Sequence, residues 1–294
     1  MAISTLDGIF AGLRPPIVFA KSVTATLVAG RPASLWPLAG MPGAGSQNGT
    51  LNGAVLDSST TIPNGAIPHY DPASGNAYLA YLDAMATQAG RLLVLDRIWS
   101  NGGYTITSTA AQNSTTPTWP SRCPTSGTDD TPATTGLGVM LAVEVSAATG
   151  AGTPTITISY TNQAGTAGRT ATNIIATVAS SAIGATYFIG LQAGDTGVRS
   201  VQSLTLSATW TSGTINLVAY RKLASIPLLA LIPNQADALT GLGTRIYNGT
   251  VPWLVFVPNT TTASVVSGSY IETHGRTRSQ RWQAPSSTRS SRRR

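Results

Sequence analysis

Between Leu137 and Lys222 apolar and polar positions alternate with a period of two. Val139, Leu141, Val143 and Val145 are separated by smaller or polar neighbours. After the break at Ala148-Thr149-Gly150-Ala151-Gly152, the apolar Ile156, Ile158 and Tyr160 alternate with Thr155, Thr157 and Ser159. Successive side chains of a strand point to opposite faces, so this period predicts strands with one face buried. The pattern continues through Tyr187-Phe188-Ile189-Gly190-Leu191, through Leu204, Leu206, Ala208 and Trp210 on one face, and through Thr214 to Tyr220 with apolar groups on both. A middle built this way predicts an all-β fold, an antiparallel jelly-roll-like β-sandwich over residues 91–226, with Arg91 to Ile98 as its first strand.

The flanks read differently. Ser4 with Asp7, ahead of Ile9, Phe10 and Leu13, caps a short helix that Pro15-Pro16 ends. So short an apolar helix needs a surface to lie on, its own body or a partner, which makes Phe10 and Leu13 candidate partner contacts. Residues 32–70 are punctuated by Gly, Pro, Asn and Ser and predict long loops, functional or pinned by neighbours. Ala73 to Gln88 is predicted as a helix, with Tyr78, Leu82, Met85 and Ala89 on one stripe and Gly90 at its end. The expected organisation is an extended or partly helical N-terminal arm with loops over 1–90, the sandwich over 91–226, a mixed strand and loop region over 227–275, and a tail over 276–294. Trp253 to Val257 is the clearest strand of the third region.

Charge changes the picture only at the C-terminal end. The net charge of +7 arises from Arg276, Arg278, Arg281, Arg289, Arg292, Arg293 and Arg294, because residues 1–275 hold equal numbers of basic and acidic groups. Arginines spaced by Ser, Thr, Gln and Pro, with Trp282 among them, suit either a solvated terminus or an arm that pairs with phosphates or with carboxylates on a neighbouring subunit. Nucleic acid is not an expected partner, since no basic stripe or aromatic platform accompanies them elsewhere. Charged residues make up 10% of the chain, against about 25% in ordinary soluble domains. A surface so poor in charge is covered by Ser, Thr, Asn and Gly or by other protein, as in β-rich assembly proteins. Residues 1–20 lack the basic start of a secretory signal, and no apolar run reaches the roughly 18 residues that span a bilayer, so no membrane association is expected.

Candidate chemistry is sparse. Neither a nucleophile elbow, a zinc-protease helix motif, a phosphate-binding loop nor a dinucleotide fingerprint occurs, and two glutamates, Glu144 and Glu272, with nine aspartates supply little for paired-carboxylate catalysis. Cys123, alone in a polar loop, reads as unreactive and can form no disulfide within the chain. His69 and His274 have no metal-type partner at helical spacing, so no metal, cofactor or catalytic residue is expected. Asp129-Asp130 reads as a turn rather than a calcium loop. Asp195 and Arg199, four apart beside a turn, predict an ion pair that fixes the loop, with Arg169 able to join it.

Three strings of strand and turn residues carry a resemblance. They are Leu95-Asp96-Arg97-Ile98-Trp99-Ser100-Asn101-Gly102-Gly103, the run from Tyr160 to Thr170 that turns through two glycines, and the run from Gln192 to Val201 with its Gly-Asp and Thr-Gly turns. Together they resemble a family of structural proteins of tailed bacteriophages. The likeness covers roughly residues 91–226, and the opening from Ser4 to Pro16 is similar to the same family. It implies a non-enzymatic virion component, made in the host cytoplasm, that decorates or cements the head shell. The major capsid protein and copies of itself are the implied partners, with a homo-oligomer, a trimer among the options, suited to the lattice. Competing readings are a neck or tail-fibre component and a host-glycan-binding module using Trp99, Trp119, Trp210 and Tyr187 as exposed aromatics.

Overall fold

The computed structural model describes residues 6–23, 27–114, 116, 118–239 and 242–275. One helix, α1 (Leu6–Gly12), precedes the strands. Those of four residues or more are β1 (Ile17–Val23), β2 (Ala77–Ala86), β3 (Gly90–Ser100), β4 (Val139–Ala147), β5 (Ile156–Asn162), β6 (Arg169–Asn173), β7 (Thr186–Gly190), β8 (Val198–Leu206), β9 (Thr214–Leu228), β10 (Asn234–Asp237), β11 (Pro252–Pro258) and β12 (Ser264–His274). The fold is all-β, and its ladders are antiparallel.

These strands form two sheets, and Cys123–Pro124 pairs with Pro132–Ala133 in a separate two-stranded one. The terminal sheet has the order β10-β2-β12-β1, and the larger sheet β11-β3-β9-β4-β7-β6-β5-β8. Half of the larger sheet curls until the start of β8 returns to the start of β4. Leu137 bridges Gly197, and Gly138 N–H donates to the Thr196 carbonyl at 3.0 Å. This half-barrel is what the period-two pattern produces. In β5 every second residue is buried, and Ile156, Ile158 and Tyr160 meet Val139, Leu141, Val143, Leu204 and Leu206 in one apolar core. Each such side chain contributes about 1.5–3 kcal/mol on burial. β8 ends at Leu206; Ala208 lies exposed in the following turn while Trp210 returns to the core.

A second core lies between the sheets. β9, 15 residues long, leaves the half-barrel and sends Leu223, Ile226 and Leu228 toward the terminal sheet. There, with Leu92, Val94, Leu254 and Phe256, they pack on Phe19, Leu79, Leu82, Val266 and Tyr270. The outer face of β4 is also covered, so Ala142 and Glu144 are buried beneath Trp36, Tyr220 and Trp253. Arg97 sits in that layer with its guanidinium carbon 4.7 and 4.9 Å from the Trp36 and Trp253 rings, and its Nη2 donates to Glu144 Oε2 at 2.8 Å. An ion pair so enclosed needs both partners, since a lone charge there would be neither solvated nor compensated.

The helix predicted over Ala73 to Gln88 is corrected: the segment forms strand β2. Ala77 and Leu79, then Leu82, Ala84 and Ala86, are the inward residues, and the ladder to β12 shifts register between Ile271 and Glu272. That bulge adds one residue to the alternation and spaces the apolar positions like a helical stripe. Gly90 opens β3 rather than capping a helix, and a Cβ there would strike the Val257 carbonyl and the Phe256 ring.

Candidate interaction surface at the chain ends

α1 is held against the end of β12 by backbone and side chain alike. Arg14 N–H donates to the Glu272 carbonyl at 2.9 Å, Thr273 Oγ1 donates to the Ile9 carbonyl at 2.8 Å, and Leu13 bridges Thr273. Gly12 lies so close to the His274 carbonyl that any Cβ would collide with it. Leu6, Ile9, Phe10 and Leu13 share one stripe of the helix; Ile9 is half-buried, while Leu6, Phe10 and Leu13 are 49%, 62% and 41% exposed. Ala80 and Tyr81 of β2, Ile271 of β12 and Leu239, 72% exposed, complete an apolar groove with them. The two residues singled out on the helix, Phe10 and Leu13, thus lie on one exposed surface.

Beside this groove the fold collects both histidines on one carboxylate. His69 Nδ1 lies 2.8 Å from Glu272 Oε1, and His274 Nε2 lies 3.2 Å from Oε2 of the same group. Asp71 Oδ1 is 3.1 Å from His69 Nε2 and also accepts from Gly249 N–H. His69 and Glu272 are buried. Burial alone pushes the His69 pKa down, but the hydrogen bond and charge of Glu272, with the charges of Asp71 and Asp96, outweigh it and raise the pKa above its ordinary value. For Glu272 burial favours the neutral acid, yet the hydrogen bonds from His274 and His69 hold its pKa below the usual carboxylate range. The arrangement is a charged latch joining loop 69–71 to β12. Spacing gave no hint of it, because His69 and Glu272 are 203 residues apart.

Other buried charges were equally hidden in the sequence. Arg122 donates to the carbonyls of Leu56, Ile98 and Gly249, and lies 3.5 Å from Asp96. Lys21 on β1 donates to the Leu38 and Gly43 carbonyls, and desolvation lowers its pKa to about 8.

The turn network departs in one respect from the expected pair. Asp195 bonds Arg169, with Nε to Oδ2 at 2.9 Å, and also accepts from the Tyr160 hydroxyl and Asn162 Nδ2. The hydrogen bond from Arg169 is the largest cause that draws the Asp195 pKa down to about 2. Arg199 is exposed beside Thr116, Thr118, Thr134 and Thr161, and pairs with no carboxylate among the described residues. Chain direction explains this: Arg169 starts β6 across from Tyr160, whereas Arg199 lies on β8.

Two further expectations are corrected. Trp99, Trp119, Trp210 and Tyr187 are core residues, none more than 1% exposed, so they offer no aromatic platform to a glycan. Cys123 is buried rather than in a polar loop, its Sγ donating to the Ala133 carbonyl at 2.8 Å. Asp130 pairs with Arg245 at 3.2 Å, while Asp129 accepts from Thr131 N–H within the turn. No group of three or more His, Cys, Asp or Glu among the described residues is disposed to hold a metal ion. Arg276, Arg278, Arg281, Arg289, Arg292, Arg293 and Arg294 lie outside the described residues.

No protein-family model matches the chain, and the search among curated proteins gives no match. Among solved structures, the infectious bursal disease virus VP2 subviral particle aligns over 89% of this chain and 80% of its own at 9% identity, with a TM-score of 0.18. That score is too low for a shared fold to be argued from it.

Proposed function

We propose that this protein is a structural component of a tailed-bacteriophage virion, a decoration or cement protein that stabilises the head shell through repeated contacts with the major capsid protein and with its own copies. The observation that carries the reading is the gathering of contact-prone chain at one edge of a rigid all-β body. Exposed Leu6, Phe10 and Leu13 lie there, and the Arg-rich residues 276–294 follow directly from β12, which ends at the same place. The strand-and-turn strings that resemble phage structural proteins add to it. Energy in such a role comes from many modest contacts summed by symmetry and avidity. No catalytic step is assigned to the protein.

Titration of purified protein onto isolated shells tests this. Saturation at many hundreds of copies per particle is the expected result, with weaker binding at high salt and after deletion of Arg276 to Arg294. Saturation at a dozen copies moves the protein to the neck or fibre, and absence of binding sinks the assignment.

A further inference from the structure

A cavity of about 230 Å³ opens between segment 27–33 and the loop 178–185 that leads into β7. Both walls are fixed. Gly30 N–H donates to the Pro258 carbonyl at 2.7 Å, Thr186 N–H to the Pro32 carbonyl at 2.9 Å, and Ser181 N–H to Thr149 Oγ1 at 2.9 Å. Arg31 lines this cavity and is 7% exposed. Its guanidinium carbon stands 5.5 Å from the centre of the Tyr187 ring, and its Nε is buried with no hydrogen-bond partner. No carboxylate lines the cavity among the described residues, and from Ser22 to Ala33 and from Ile174 to Ala185 the sequence holds no acid. Buried Arg97 and Arg122, by contrast, each reach a carboxylate, and Arg221 a carbonyl. A guanidinium stays charged and a buried charge calls for a partner, so the contact with an aromatic face leaves the place of an anion open.

The other walls decide the class of anion. Leu27, Val28, Pro32, Val178 and Ile183 are apolar. One cation neutralises one negative charge, and a phosphate would hold its second charge against hydrocarbon. A carboxylate carries a single charge and meets the guanidinium fork with both oxygens. The volume is below the roughly 300–1,000 Å³ of sites for drug-sized ligands, so the occupant is small. A second copy of this chain has no glutamate to offer, since Glu144 and Glu272 are both buried. We infer that this cavity binds a small monocarboxylic acid, its carboxylate on the Arg31 guanidinium and its alkyl chain against Leu27, Val178 and Ile183.

Calorimetric titration and saturation-transfer NMR of the purified full-length protein with hexanoate test the site. Saturable binding is expected, with transfer to the methyl and methylene protons of hexanoate and a thermal midpoint that rises with its concentration. Hexanol keeps the chain without the charge and inorganic phosphate the charge without the chain, and each should bind about tenfold more weakly or worse. Arg31→Met, which keeps the bulk of the stem, should weaken hexanoate binding by about tenfold or more. Ile183→Glu, at a position 44% exposed, sets an internal carboxylate beside Arg31 and should abolish binding; it carries the test if Arg31→Met does not fold. Absence of saturation, equal binding of hexanol, stronger binding of phosphate, or hexanoate binding that survives either folded variant overturns the site. These measurements use isolated protein, so their failure is separable from a failure to bind shells.

Discussion

The half-barrel and the terminal sheet are built from the same kind of ladder but by different routes. The half-barrel takes β4 to β8 from one continuous stretch, and its core is almost wholly apolar. The terminal sheet gathers residues 17–23, 77–86, 234–237 and 264–274, and beside it sit the His69–Glu272–His274 latch and the exposed groove. A region assembled locally can be closed and dry. One assembled from distant segments brings the chain ends together and with them charge and unpartnered apolar surface. In this molecule each region has its own buried apolar core, and the latch and the groove both lie beside the second.

The largest expected effect falls at the seam. Glu144→Gln leaves the Arg97 charge enclosed between two indoles, and a loss of about 3–5 kcal/mol in urea unfolding is expected; a loss under about 1 kcal/mol would mean that the pair does not join the layers. Next come paired truncations, Leu141→Ala in the half-barrel and Leu82→Ala in the terminal sheet, each expected to cost about 2–5 kcal/mol. Hydrogen exchange separates them: Leu82→Ala should lower protection in β1, β2 and β12 while β4 to β8 keep theirs, and uniform loss in both variants would erase the contrast drawn above.

Glu272→Gln is expected to cost about 1.5–3 kcal/mol, because the imidazoles lose a charged acceptor. Its pH dependence has a definite sign. The folded pKa of His69 is raised, so its stabilisation is complete below the unfolded imidazole value and is lost as pH climbs through the folded one. The folded pKa of Glu272 is lowered, so its share is present above the ordinary glutamate value and is lost as pH falls through the folded one. Thermal melting should therefore be highest between the two folded values, and Glu272→Gln should flatten both flanks; unchanged flanks would remove the latch from the account. The smallest effect is expected for Phe10→Asp, within about 0.5 kcal/mol of the parent, since surface changes away from buried partners cost little. A larger loss would place Phe10 in the body's packing and not on a contact surface.

The half-barrel was legible because one buried face imposes strict alternation, as Ile156, Ile158 and Tyr160 do. β2 was not, because its bulge near Ala80 shifted the phase and its Ala, Leu and Met content favours helices. At the chain ends, Phe10 and Leu13 could be picked out from their place on a short apolar helix. The carboxylate that binds two histidines could not, since residue 69 reaches residue 272 from a loop tied to Pro252 and Gly249, far along the chain. Buried aromatics misled for a related reason: Trp and Tyr read alike in sequence whether they line a core or a binding face.

In the β1–β12 ladder Ile17 pairs with Tyr270 and Val23 with Ser264. The chain enters at Ile17 and leaves just past Tyr270, on the same side of the sheet. Tension between those two points meets the hydrogen bonds in succession, as in opening a zip, rather than shearing the whole ladder at once. The terminal sheet is the weak link under such a pull, and the half-barrel, whose strands lie off that line of force, yields after it.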